Sequence, residues 1–166
     1  MKQLSSKIFV VISALFLISC EGNSPTHDQP SLMQKSAKRG VSFNFTNIQD
    51  LPLLSPAISW SYNWANDQNS TSALWFDTND MDFCPMCWNG SYSAAKIRQY
   101  VQEHPNTKYL LGFNEPNLTD QCNMTPAQAA EQWPQVVALA RELNLKLISP
   151  AMNYGTLAGY HDPIKW

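Results

Sequence analysis

The sequence predicts an α/β fold built on a parallel sheet. Three observations carry that prediction. Short β-rich runs alternate with helical patterns along the chain, the order that βα units produce. The run Tyr109 to Phe113 is apolar throughout, as a strand covered on both faces requires. A strong helix start follows at Thr125-Pro126-Ala127-Gln128, with Thr as N-cap, Pro at the first helical position and Gln three residues after the cap.

The N-terminus stands outside this fold. Residues 1–19 read as an export signal: Lys2 and Lys7 supply a positive start, and Ile8 to Ile18 is apolar but too short to span a bilayer. Leu17-Ile18-Ser19-Cys20 resembles the bacterial lipobox, which implies a lipidated Cys20 as the mature N-terminus. Acyl chains partition at about 0.8 kcal/mol per buried methylene, so the membrane becomes a partner through this anchor, with ordinary secretion as the competing reading. Residues 20–39 are polar and aperiodic and read as a flexible tether, which leaves residues 40–166 for the globular part.

The elements follow in order. Val41 to Phe45 is a short β-rich run. Ala57 to Trp64 alternates, with Ile58, Trp60, Tyr62 and Trp64 on one face. Met81 to Phe83 reads as a third strand, Tyr109 to Phe113 as the fourth and Lys146 to Ser149 as the fifth. Ser91 or Ser93 caps a helix in which Ile97, Tyr100, Val101 and His104 keep helical spacing, and Pro105 stops it. The helix opened by Thr125 carries Ala129, Trp133, Val136, Ala140 and Leu143 as one stripe, and Pro134 is expected to kink or divide it.

A net charge of -2, with only 14% charged residues, gives no basic face for nucleic acid. Six Trp, six Tyr and seven Phe exceed what a small core needs, and flat rings pack on sugars. In folds of this class the chemistry lies at the C-terminal ends of the strands. Those ends hold Asn44, Asn63-Trp64, Cys84 to Trp88, Asn114-Glu115 and Met152-Asn153-Tyr154. Amides, rings and one acid suit a sugar site, and nothing in the set asks for a metal or cofactor. Asn44, Asn63 and Asn153 are read as facing substrate, and Trp64 and Trp88 as stacking rings, with core packing the competing reading for each ring.

Glu115 has three readings: a structural carboxylate, an orienting acid in a binding protein, or the general acid/base of glycoside hydrolysis. Asn114 favours the last, because an amide beside the acid can hold a sugar 2-hydroxyl. The block GFNEPN, with WSYNWA and FCPMCWNG before it and MTPAQAAEQWP and LISPAMNYG after it, resembles glycoside hydrolase family 128. The resemblance covers Gly40 to near Gly155. It implies a (β/α)8 TIM barrel acting on β-1,3-glucan with retention, Glu115 as acid/base and Asn114 as its orienting amide.

The nucleophile does not carry over. The family's is a second glutamate ending strand seven, and a retaining pair stands about 5–5.5 Å apart. Asp120, Glu131, Glu142 and Asp162 follow Glu115, and none closes a strand. A (β/α)8 barrel rarely takes fewer than about 200 residues, more than residues 40–166 provide. The chain is therefore expected to hold about the first five βα units, inactive alone, of a β-1,3-glucanase. The alternative is a noncatalytic glycan-binding lipoprotein of the cell surface.

Cys84-Pro85-Met86-Cys87 has the spacing of redox and zinc sites, but no second ligand pair and no thioredoxin-like position supports either. With Cys20 lipidated, Cys122 is expected to form a disulfide with Cys84 or Cys87, bracing neighbouring loops.

Overall fold

Five strands run parallel, each beside the strand that precedes it in sequence. The computed structural model describes residues 35–166. The segments expected to be an export signal and a tether, with Cys20 between them, lie, up to residue 34, outside the described residues. The strands are β1 (Ser36–Ser42), β2 (Ile58–Tyr62), β3 (Asp82–Phe83), β4 (Tyr109–Leu111) and β5 (Lys146–Ile148). β2 pairs with β1 and β3, and β4 with β5, all parallel. A parallel bridge from Met86 to Leu111 joins the two groups. There the Leu111 N–H donates to the Pro85 carbonyl and the Cys87 N–H to the Leu111 carbonyl, both at 2.9 Å.

The tether boundary needs correcting. Ser36 to Arg39 already belong to β1, where the Ser59 hydroxyl donates to the Ser36 carbonyl at 2.9 Å. Their polar, charged composition reads as tether because β1 is an edge strand of the described sheet. The alternation in β2 is also incomplete as a guide: Ser61, on the face expected to be polar, is only 1% exposed, because both faces of this sheet are covered.

Helices α1 (Leu51–Leu54), α2 (Ser70–Thr78), α3 (Ala94–Glu103) and α4 (Pro126–Glu142) fill the crossovers. Ser93, of the two candidates, caps α3 by accepting the Lys96 N–H. The capping box predicted at Thr125 and Gln128 is formed in full. α4 stays one 17-residue helix with Pro134 inside it, so Pro134 does not divide it. Its face is held by packing, with Ala129, Val136, Leu139 and Ala140 buried. α2 is an element the sequence pattern did not reveal. Its Ala73-Leu74-Trp75-Phe76 is a continuous apolar run without helical spacing, and its start is marked by Asn69, which accepts the Ser72 N–H at 2.9 Å.

Two apolar cores result. One sets Leu110 and Phe113 against Ile97 of α3 and Val136, Leu139 and Ala140 of α4. The other packs Phe45, Ile58, Phe76, Phe83 and Tyr100 beneath β1 to β3. A large apolar side chain buried this fully contributes roughly 1.5–3 kcal/mol. Arg98 on α3 grips Glu142 on α4 with two bonds of 2.7 and 2.8 Å. The His104 ring at the end of α3 meets Asp77 of α2 at 2.7 Å. Among the described residues, no helix is long and apolar enough to cross a membrane.

Candidate active site

Glu115 stands just past the C-terminal end of β4, in a loop that fixes its backbone. Its φ is +43°, in the left-handed region that costs a residue with a Cβ of order 1–3 kcal/mol. The surrounding bonds hold it there. The Leu118 N–H donates to the Glu115 carbonyl at 3.0 Å, and the Met124 N–H to the Pro116 carbonyl at 2.8 Å. Trp64, at the end of β2, shows the same departure with φ +61°. Glu115 and Trp64 are the described residues other than Asn, Asp and Gly with positive φ, and both stand past the C-terminal ends of strands.

Asn153, from the loop after β5, meets Glu115. Its Nδ2 donates to Glu115 Oε1 at 3.1 Å, while its Oδ1 accepts the Tyr154 N–H at 2.8 Å. That second bond settles which end of the amide faces the acid. The carboxyl group is half-buried, with an amide donor on one oxygen, and is open to solvent beyond.

Asn114 is buried and turned into its own loop, with Nδ2 donating to Gln121 Oε1 at 2.9 Å. It also borders a recess of about 260 Å³ with Tyr62, Met86, Gly112 and Ile148. Its backbone N–H donates to the Trp88 carbonyl at 2.9 Å, which brings the β3 and β4 ends together. Trp88 is half-buried. Trp64 is 42% exposed and meets Tyr62 edge-on at 5.4 Å.

The other two amides are not gathered round Glu115. Asn63 closes its own turn, accepting from the Ala65 N–H and donating to the Asp67 carbonyl, both at 3.1 Å. Asn44 lies exposed beyond β1, with no hydrogen bond among the described residues tying it to Glu115 or Asn153. Asn66 does the bracing instead, donating to the Met86 carbonyl and accepting the Ser93 N–H. Sequence reasoning also missed Gln121 and Asn117. Their signal was the density of amides within a single loop.

The disulfide expectation is corrected: Cys84, Cys87 and Cys122 are free, buried thiols. Cys87 and Cys122 are packed as apolar side chains within the α3 and α4 core, and the loops they were expected to brace are held by backbone bonds instead. Burial pushes the Cys84 and Cys87 thiols up to about 12 and the Cys122 thiol up to about 11, with Asp82 adding to the effect at Cys84.

Residues 40–166 match the glycosyl hydrolase catalytic core family. No curated protein matches the chain. Among solved structures, a family 128 subgroup II endo-β-1,3-glucanase from Pseudomonas viridiflava is 41% identical, with a TM-score of 0.75, over 80% of this chain and 52% of its own. Its counterpart from Sorangium cellulosum is 34% identical with a TM-score of 0.67 over the same shares, 80% and 52%. A mutant subgroup I enzyme from Amycolatopsis mediterranei, in complex with laminaritriose and laminaribiose, is 28% identical with a TM-score of 0.53, over 77% of this chain and 50% of its own. The chain thus spans about half the length of these relatives. With the family matched across the whole globular part and the acid at the end of β4, the chain belongs to glycoside hydrolase family 128.

Proposed function

We propose that this chain forms the first five βα units of a (β/α)8 barrel, and that the complete protein is a retaining endo-β-1,3-glucanase with Glu115 as acid/base. The observation that carries the reading is Glu115 itself: a carboxyl on strained backbone past β4, gripped on one oxygen by Asn153 at 3.1 Å. Five parallel strands in sequence order support the barrel, and the endo-β-1,3-glucanases among the relatives support the substrate.

In the proposed reaction the Glu115 carboxyl gives its proton to the glycosidic oxygen as that bond breaks. As carboxylate it then takes a proton from the water that releases the glycosyl group from the nucleophile. Asn114 offers Nδ2 to the sugar 2-hydroxyl, exchanging Gln121 for the substrate. Trp64 and Trp88 offer ring surface to the glucan, and Asn44 and Asn63 are proposed to meet its hydroxyls, Asn63 by exchanging its turn contacts for the substrate. The nucleophile is proposed to come from the part of the relatives' length that this chain does not span. Cys20 would anchor the protein in the cell envelope, and failure of a fatty-acid probe to label it would remove the anchor.

A noncatalytic glycan-binding role is the second reading, because an acid held by the Asn153 amide can orient a sugar hydroxyl without turning the sugar over. The described carboxylates that follow Glu115 are engaged or placed elsewhere: Glu142 is held by Arg98, Asp162 caps a turn through the Ile164 N–H, Glu131 lies on α4 and Asp120 in an exposed loop.

Laminarin hydrolysis separates the two. The 166-residue chain should release no reducing sugar. A chain extended with the second half of a subgroup II relative should release it, and Glu115→Gln should slow that release about 10²–10⁴-fold. Release unaffected by Glu115→Gln would sink the acid/base role. Oligosaccharide binding without turnover in the extended chain would favour the binding protein.

A further inference from the structure

We infer that Asn117 is a positioning residue, a buried hub on which the loop after β5 closes so that Asn153 is aimed at Glu115. Asn117 is 0% exposed and sits two residues past Glu115 in the same loop. Its Nδ2 donates to the Asn153 carbonyl at 2.5 Å and to the Tyr160 carbonyl at 3.3 Å. Its own carbonyl accepts the Thr156 and Leu157 N–H groups, both at 3.0 Å. One residue therefore meets both ends and the middle of the segment 153–160.

The link to Glu115 passes through a single residue. Asn117 fixes the backbone of Asn153, and the Tyr154 N–H fixes the Oδ1 of the same side chain, so Nδ2 is left pointing at Glu115 Oε1. The chemistry explains why an amide is needed at position 117. Two carbonyl oxygens converge on Nδ2, and only a side chain with two donors on one nitrogen satisfies both. A carboxylate there would confront them with like charge, and an apolar side chain would leave them unpaired in the interior. Oδ1 of Asn117 is buried with no hydrogen-bond partner among the described residues. An unpaired buried acceptor is unfavourable, so the amide is kept for its donors.

The loop is shaped to this contact. A Cβ on Gly155 would collide with the carbonyl and Nδ2 of Asn117 and with the Tyr160 carbonyl. Gly155 also donates to the His161 carbonyl and accepts from the His161 ring, both at 2.9 Å. The bond from the Thr119 N–H to Thr156 Oγ1, at 2.9 Å, is a peripheral tie.

The catalytic meaning of this device rests on Glu115 as acid/base, but its test does not. The Asn153 side-chain amide resonance is followed by NMR in the 166-residue chain, with and without Glu115→Gln. In the otherwise unchanged chain, Glu115→Gln should move that resonance. In an Asn117→Leu background the movement should be lost, while the α4 resonances stay in place. Gly155→Ala, which pushes the loop off Asn117 without altering it, should give the same loss and serves where Asn117→Leu does not fold. Thr156→Val should keep the movement. A movement of full size in a folded Asn117→Leu or Gly155→Ala chain overturns the inference, as does a loss in Thr156→Val equal to theirs. Since no sugar is present, coupling lost as expected alongside hydrolysis indifferent to Glu115→Gln would fail the functional reading alone.

Discussion

At the scale of single residues, burial decides the chemistry of the three described cysteines. Sulfur in an apolar core holds its proton, because the thiolate would lose its solvation. In the unfolded chain these thiols return to the ordinary range of about 8.5 to 9, well below their folded values. The folded state thus binds these protons more tightly. Its advantage from them is complete below about pH 9 and is lost as pH rises through 11 to 12, the folded values. Burial of Tyr100 pushes its phenol in the same direction and adds to the effect. The urea midpoint should therefore be flat with respect to the thiols up to about pH 9 and fall above it. Alkylation of the native protein near pH 8 should be far slower than of the denatured chain, and native labelling at the rate of a free thiol would contradict the burial. The CxxC spacing was legible in the sequence. What it lacked was the environment, and environment alone separates a reactive pair from two packed side chains.

At the scale of elements, the legible parts were those with a strong local rule. The capping box of α4 falls where the sequence places it, because it is fixed by neighbours in the chain, whereas β4 starts at Tyr109 as expected but ends at Leu111, two residues short of Phe113, because its extent is set by pairing with β5. α2 was invisible because its helicity comes from the core it lies against, with Ala73 and Phe76 buried beside Phe45 and Ile58. Site residues divided in the same way. Glu115 and Asn153, both expected after strands, meet there, whereas Asn63 turned inward to serve its own turn, a choice of rotamer that spacing does not encode. Gly112 shows how tightly β4 and α4 are fitted. A Cβ there would lie 2.8 Å from the Trp133 ring and 2.9 Å from the Ile148 carbonyl. Gly112→Ala should destabilise the fold by about 1–3 kcal/mol and shift the tryptophan emission. An unchanged thermal midpoint would mean that the helix yields freely.

At the scale of the whole molecule, the described sheet has a free side at β5, and the surface beside it is apolar. A groove of about 380 Å³ runs there between Phe113, Ala129, Trp133, Pro150 and Trp166. Ile148 stands 40% exposed nearby. Contiguous apolar surface of this kind takes up hydrophobic dyes and promotes association. The 166-residue chain should enhance ANS fluorescence, and the chain extended with a relative's second half should do so much less. Equal enhancement in both would show that the added units do not cover this groove. The order of the strands carries a further consequence, for the way the molecule is made. Since each of the five described strands lies beside its immediate predecessor, each finds a partner in the unit made just before it. Parallel pairing across a crossover is slow, but here it joins successive units, so each βα unit can add to the growing edge once it has left the ribosome. Assembly can then proceed in one direction, with each finished strand serving as the template for the next.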